Sequence, residues 1–505
     1  MYNIIIFSDI TNSIVSSLPL GPYKCAHVLR KAGYSCLVVN HLSSWNELEL
    51  KTLLDQVIGL KTYLVGFSTT FLNKMVLDKN GYLLETKDIG FNTVFPQGKD
   101  FENKILTYIH LLNPMIKICA GGSKTGPQYN NRNIDYVLLG YSEISIVNLV
   151  NYLAHGKELF NSQQNIWGCT IIDDRFAKSY DFPQEDMEWL DTDVVNHQVL
   201  PLEIARGCIF RCKFCAYPMN GKKQLDFVKN TDILFRELTE NYYKFGITHY
   251  IIVDDTFNDH NEKLETLAAM ITRLDFQPIF WAYHRLDLIC TRPETLPLLY
   301  QIGVRAMYFG IETLHLPTGR IIGKGFDRAK QIDMIKYIKK NYPDISVHGS
   351  FIVGLPHEPL DSIHDTFNQL LNKEIGLDSW SVRALRISLP EDNAFNSEIT
   401  LDYPKFGYKN NKISNNDRLI NWENEYLSYE QSVKLANEFM RKSRTLNHYH
   451  ISGITAMELV TIGLDFSVTC RTAFTDFDFH NIQTNIKPQF TQKYKNKLLK
   501  LVSKQ

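Results

Sequence analysis

The sequence contains no run of about 18 uncharged apolar residues, so nothing in it reads as a membrane span. Its opening, MYNIIIFSDI, has no basic stretch ahead of the apolar one and carries an Asp at position 9, which argues against a secretory signal peptide. Charge of one sign is missing too. The 54 Lys and Arg against 55 Asp and Glu leave a net charge of −1, so no global field recruits a polyanion. Cysteine is sparse and odd in number, nine in all, and this pattern without a leader points to a reducing cytoplasm, where clustered cysteines are more often ligands than disulfide partners. No repeat of about 20–50 residues is visible, which excludes a solenoid.

What is present is enough for about two to four domains: 505 residues, 44% of them hydrophobic and 22% charged. Residues 1–155 alternate short apolar runs with helical periodicity. YNIIIFSD, SCLVVN, TYLVGFSTT, IKICAGGS and the start of IDYVLLGYSE read as buried parallel strands that break into small or polar residues at their ends. GPYKCAHVLRKAGY, closed by Gly33, reads as a helix between the first two. This is the pattern of a doubly wound sheet, whose ligands sit at the strand C-termini. Residues 156–198 read as an acidic connector.

A second alternating region runs over 199–400, with strand candidates LEIA, THYIIVDD, IFWAYH, AMYFGIE, VHGSFIVG and WSVRALRIS. Six strand–helix units fall short of an eight-fold barrel and predict a partial one. Residues 401–505 hold an Asn-rich loop (406–425), a helix opened by a capping pair, Ser428 and Gln431, and a tail with six lysines and no acid. That tail suits either a solvated helix face or a nucleic-acid contact.

Cys208, Cys212 and Cys215 occupy eight consecutive residues, IARGCIFRCKFCAYP, in a loop after a strand. Thiolates select zinc, copper(I) or iron–sulfur clusters. A structural zinc wants four closed ligands, so the fourth would have to come from a distant group such as Cys169, Cys290 or a histidine. Three thiolates alone suit a cubane cluster with one iron left open.

CIFRCKFC resembles the CxxxCxΦC signature of the radical S-adenosylmethionine (SAM) superfamily, with Phe214 as the aromatic before the last cysteine. The resemblance implies that the three cysteines ligate a 4Fe-4S cluster, that the open iron chelates SAM, and that one-electron cleavage yields methionine and a 5′-deoxyadenosyl radical. Later segments match in order. YIIVDDTF resembles the second-strand segment near the methionine amino group and brings in Asp254 and Asp255. YFGIET resembles the fourth-strand motif and brings in Glu312 and Thr313 for ribose and carboxylate. GSFIVGLPHE resembles the segment along the adenine, with Gly354 to Pro356 against it and Ser350 facing the ligand. VRALRISLP resembles the sixth strand, with Arg383 and Arg386 as carboxylate or phosphate partners.

Residues 1–155 are similar to the cobalamin-binding domain of one class of these enzymes, through LRKAGYSCLVVN, LVGFSTTF, ICAGGSKTGP and IDYVLLGYSE. The lower-ligand motif D-x-H-x-x-G is absent, and His41 lacks its spacing. Two outcomes stay open: a corrinoid bound with its base off and no protein ligand, or a degenerate domain kept for packing or docking. The implied fold is α/β: a Rossmann-like cobalamin-binding-type domain, a partial (β/α)6 TIM barrel as radical SAM core over 199–400, and a mainly helical C-terminal region. The implied function is hydrogen abstraction or methyl transfer at an unactivated carbon, with an electron donor of flavodoxin or ferredoxin type and a small-molecule, peptide or nucleic-acid substrate. Tyr217 and Tyr308, and beside them Tyr283, His284 and Arg285, are candidates for proton handling or radical quenching. The alternative from another class is a non-catalytic zinc or iron–sulfur protein used for binding or redox sensing.

Overall fold

The computed structural model describes residues 1–11, 17–77, 83–88, 93–123, 125–175, 181–217, 219–222, 225, 227–392, 395–413, 419–445, 451–471, 478 and 481–504. In chain order the first strands are β1 (Ile4–Phe7), β2 (Cys36–Val39), β3 (Leu64–Ser68), β4 (Asn73–Leu77), β5 (Leu83–Asp88), β6 (Lys117–Gly121), β7 (Tyr136–Leu139), β8 (Ser162–Gln164) and β9 (Thr170–Asp173). All but β4 and β5, which pair as a separate hairpin, form one sheet in the order β2-β1-β3-β6-β7-β9-β8. The strands IIIF, CLVV and YVLL are buried on both faces, as a parallel sheet covered by helices on two sides requires.

The sheet is larger than the sequence suggests. Strands β8 and β9 lie in the stretch read as connector. Strand β8 is the exposed tripeptide Ser-Gln-Gln on the sheet edge, antiparallel to β9, and carries no apolar signal to betray it.

The second sheet is parallel throughout: β10 (Leu200–Leu202), β11 (His249–Ile252), β12 (Ile279–His284), β13 (Val304–Glu312), β14 (Ser346–Val353) and β15 (Ser379–Ala384), in that order. This is the six-stranded partial barrel. Its first strand ends earlier than LEIA implies, because the N–H groups of Ile204 and Ala205 turn away to donate to Asp254 Oδ1 at 2.8 and 2.9 Å. Alternate residues divide the faces. Phe280, Met307, Phe309, Val347 and Val382 pack under the outer helices, in a core continuous with Ile4, Tyr23 and Leu149 of the first domain. Trp281 and Ala306 face inward.

The C-terminal region closes three surfaces. The helix Gly453–Val460 enters the base of the barrel, where Ala456 and Met457 pack with Trp281 and Ala306. The Asn-rich stretch is not a plain loop: β16 (Lys409–Ile413) and β17 (Ile420–Glu423) pair antiparallel, and Trp422 is fully buried beside Leu355 and Tyr408. The Ser428 cap forms as expected, with Gln431 N–H donating to Ser428 Oγ and Ser428 N–H to Gln431 Oε1. The lysine tail is the helix Lys487–Val502, docked on the first sheet through Phe490, Tyr494, Leu498 and Val502. Residues 414–418, and most of the aromatic stretch FTDFDFHNIQ, lie outside the described residues.

Candidate active site

Cys208, Cys212 and Cys215 sit beyond the C-terminal end of β10, and loops from the next strands reach them. Thr256, after β11, places its hydroxyl 3.2 Å from Cys208 Sγ. Arg285, after β12, donates to Cys212 Sγ at 3.4 Å and stacks 3.7 Å above the Phe210 ring. The Phe210 N–H donates to Cys208 Sγ, and the Cys215 N–H to the Cys212 carbonyl. Burial pushes the Cys208 and Cys215 thiols up, while N–H and O–H donors pull the other way. Among the described residues no three His, Cys, Asp or Glu side chains converge to hold a single ion. A zinc would draw its thiolates to within about 4 Å of one another, whereas a cluster spreads them, one to each iron. Cys169 packs in the first domain against the Asn131 and Ile134 carbonyls, and Cys290 against the Lys330 carbonyl, so the zinc reading finds no fourth thiol here. Three half-buried thiols with hydroxyl and guanidinium donors fit a cluster.

A buried charge network ties this loop to the first domain. Arg206, two residues before Cys208, donates to Glu143 at 2.8 Å and to Glu203 at 2.9 Å, with the Tyr141 ring 4.0 Å away. Lys24 completes it by donating to Glu185 at 2.5 Å and to Glu203. Burial alone would raise the Glu203 carboxyl, but Lys24 and Arg206 hold it below the usual carboxylate range.

Several expected site residues take structural roles. Asp254 is buried and props the start of the cysteine loop through Ile204 and Ala205 rather than facing a ligand; burial lifts its carboxyl to about 6. Asp255 is the half-buried acid, lifted to about 7 by burial and by Asp254. Thr313 is buried and donates to Glu358. Gly354, at φ +87°, lies against the C-terminal hairpin, where a Cβ would meet Trp422 Cη2 at 2.3 Å, and Pro356 is buried with its carbonyl accepting from the Thr318 hydroxyl. His284 is buried, bonded to the Ala282 carbonyl, and held down to about 3 by burial, so it moves no proton at neutral pH.

Others do gather at the mouth. Glu312, at φ +65°, pairs with Lys324 at 3.0 Å, and the ammonium stands 5.8 Å from the Phe214 ring centre. Ser350 and Arg383 lie on inward positions of β14 and β15, and Arg386 is exposed beyond the strand. Tyr283 and Tyr308 meet edge to face with rings 5.0 Å apart, and Tyr217 is near enough for their charges to bear on it. Tyr217 is 59% exposed, yet burial raises its hydroxyl. Both hold for a side chain that few atoms touch but that stands among many neighbouring groups. Sequence reasoning missed Thr256 and Lys324. Thr256 directly follows the Asp pair at a strand end, a legible position; Lys324 reaches Glu312 only through the fold of the intervening helix Leu316–Ile322.

At the C-terminal edge of the first sheet, Gly122 has φ +117°, and a Cβ there would meet Thr70 Oγ1 at 2.5 Å. The rim around it is small and polar: Ser68, Thr69, Thr70 and Ser123. That rim suits the edge of a broad flat ligand, and its described residues include no histidine. His41 is buried edge-on between Phe490 and Tyr494 and cannot ligate without undoing that packing.

A Rossmann-like sheet joined to a six-stranded partial barrel, with three cysteines at the barrel's mouth, defines a two-part α/β architecture. Residues 202–370 match the model of the Radical SAM superfamily, and the chain carries a radical SAM domain. The cobalamin-dependent S-adenosylmethionine radical enzyme OxsB, with aqua-cobalamin bound, superposes with a TM-score of 0.60 at 14% identity, over 99% of this chain and 80% of that one. The radical SAM methyltransferase TsrM from Kitasatospora setae superposes with a TM-score of 0.59 at 12% identity, over 87% of this chain and 83% of that one. At such identities the likeness is one of fold, and it spans both sheets. In sequence, an uncharacterized methyltransferase from Pyrococcus horikoshii is 25% identical over 249 residues, 46% of this chain and 52% of that protein. The chain spans about half the length of the curated relatives it matches.

Proposed function

We propose that the protein is a radical SAM enzyme that functionalises an unactivated C–H bond, with one-carbon transfer as its reaction class. Cys208, Cys212 and Cys215 would hold a 4Fe-4S cluster, and Phe214, Glu312 and Ser350 would line the SAM site. When bound, that pair supplies one-electron cleavage of a sulfonium and hence the radical for hydrogen abstraction. The chain's own residues do the rest. Arg285 and Thr256 orient the thiols and offset their negative charge. The closed base of the barrel excludes water from below, which limits quenching of a reactive species. Asp255 is suited to hold or release a proton near neutral pH.

The observation that carries this reading is the trio of thiols gathered by loops after β10, β11 and β12 at the mouth of the partial barrel. The methyltransferases among the similar proteins support one-carbon transfer over rearrangement. The first domain would take cobalamin with its base off, a reading supported by the small polar rim and by a His41 locked in packing. The electron donor would be of flavodoxin or ferredoxin type.

Anaerobic reconstitution with iron and sulfide tests it. Broad visible absorption and 5′-deoxyadenosine on adding dithionite are expected, and both are lost in Cys212→Ser. Tetrahedral zinc without nucleoside product would refute it.

A further inference from the structure

The inward face of the barrel has a floor, walls and an exposed guanidinium. The floor is made where Gly453 closes against Ala306, Ser346 and Trp281. Above it the strands bring Tyr283, Tyr308 and His348 to one level, since Tyr283 pairs in register with Tyr308 and Tyr308 with His348. The Tyr308 ring stacks on His348 with centroids 4.7 Å apart, and the Trp281 ring lies 4.6 Å from Tyr283. His348 is fixed on both nitrogens by Ser379 and Ser381, at 2.7 and 3.0 Å, which makes it a rigid neutral platform rather than a base. Tyr217 and Tyr283, 59% and 36% exposed, present bare ring surface to this space.

Several cations around the mouth are matched. Arg206 pairs with Glu143 and Glu203, Arg285 with Asp287, Lys324 with Glu312 and Lys213 with Glu398. Arg383 differs. It is exposed on the inward side of β15, no carboxylate pairs with it among the described residues, and its charge bears on Tyr217, Tyr283 and His348. A guanidinium left without a counter-ion beside bare aromatic rings is an anchor for a planar anion.

We propose that the chamber takes a substrate with a flat, unsaturated body and a carboxylate or similar oxyanion, the body stacking among Tyr217, Tyr283 and Tyr308 and the anion held by Arg383. This rests on the reading of the cysteine loop as the cluster site. A carboxylate at Arg383 has two sources, the substrate or the methionine moiety of SAM, and the inference assigns it to the substrate.

The test uses reconstituted holoenzyme and two probe pairs followed by calorimetry. The first pair is 2-naphthoate and 2-naphthamide, alike in shape and different in charge. The second is S-adenosylhomocysteine and 5′-methylthioadenosine, with and without the amino-acid carboxylate. Wild type should bind naphthoate roughly ten to a hundred times tighter than the amide, the range expected for one charge-assisted contact. Arg383→Gln should erase that ratio, Arg383→Lys should keep part of it, and Tyr283→Leu should weaken both naphthyl probes together. The adenosyl ratio should be unchanged in Arg383→Gln. Loss of the adenosyl ratio in that variant would give the guanidinium to the cosubstrate and overturn the proposal, as would a wild type that does not prefer naphthoate. Formation of 5′-deoxyadenosine by the same wild-type sample is scored separately: its failure removes the radical reading, whereas its persistence in Arg383→Gln shows the cleavage site intact.

Discussion

Arg285 donates to Cys212 Sγ at 3.4 Å from a guanidinium that is itself fixed by Asp287 at 2.6 Å. A cation and an N–H beside a cluster thiolate stabilise the more negative, reduced state. Arg285→Met should therefore make the reconstituted cluster harder to reduce, by on the order of 50 mV, or about 1 kcal/mol for one electron. Arg285→Lys should lie between. A potentiometric titration followed by electron paramagnetic resonance reads this directly, and an unchanged midpoint in Arg285→Met would remove the electrostatic role.

Gly354, directly after β14, and Trp422, on β17, meet where the C-terminal hairpin packs on the barrel domain. An alanine at 354 combines φ +87° with a Cβ 2.3 Å from Trp422 Cη2. Gly354→Ala should cost about 2–4 kcal/mol, from backbone strain and overpacking together. Trp422→Leu alone should also destabilise, by emptying a fully buried site. The pair should cost less than the sum, since the smaller side chain relieves the clash though not the strain. Urea unfolding of the four proteins checks it; strict additivity would mean that the two residues do not press on each other.

That contact also shows where sequence reading stops. Five of the seven strands of the first sheet and all six of the second are legible because each is a short apolar run bounded by small or polar residues, and the cysteines because their spacing is local; β9, inside the stretch read as connector, is missed. Strand β8 is missed as well, being three polar residues held only by their partner β9. Gly354 resembled a ligand-binding glycine, and the reason for it, Trp422, lies 68 residues on along the chain. Asp254 and Asp255 are adjacent and look alike in sequence. Strand-end geometry turns one onto the Ile204 and Ala205 amides and leaves the other half-buried near the cysteine loop.

Glu358 is buried with Thr313 donating to one of its oxygens, and burial raises its carboxyl to about 7 from 4.5. The folded state thus holds this proton more tightly than the unfolded chain. Between pH 4.5 and 7 the native protein binds more protons, so stability falls as pH rises through that window. The loss from this group by pH 8 is about 3 kcal/mol at most. Glu358→Gln should flatten that part of the curve, giving a smaller drop between pH 5 and pH 8 than wild type. Asp254 and Asp255, raised in the same direction, leave a residual slope. Thermal unfolding at the two pH values decides it, and an equal drop in both proteins would mean Glu358 is ionised at no cost.

The lysine-rich C-terminal helix distinguishes its own lysines by face. Lys495 is nearly buried; it donates to the Ser44 carbonyl and to Glu49, both at 2.7 Å, with Tyr494 beside it donating a hydrogen bond toward the Val38 carbonyl. Lys493 and Lys500 are exposed. Lys495→Met leaves Glu49 and a carbonyl without their donor and should cost about 1–3 kcal/mol. Lys493→Ala and Lys500→Ala should each stay within about 0.5 kcal/mol of wild type. A helix serving mainly as a polyanion-binding arm would behave the other way: the exposed pair would carry salt-dependent binding to single-stranded nucleic acid, and Lys495 could be replaced freely. Measuring unfolding midpoints and retention on single-stranded DNA for the same three variants separates the two. The docked geometry predicts that stability follows Lys495 and that retention follows none of them.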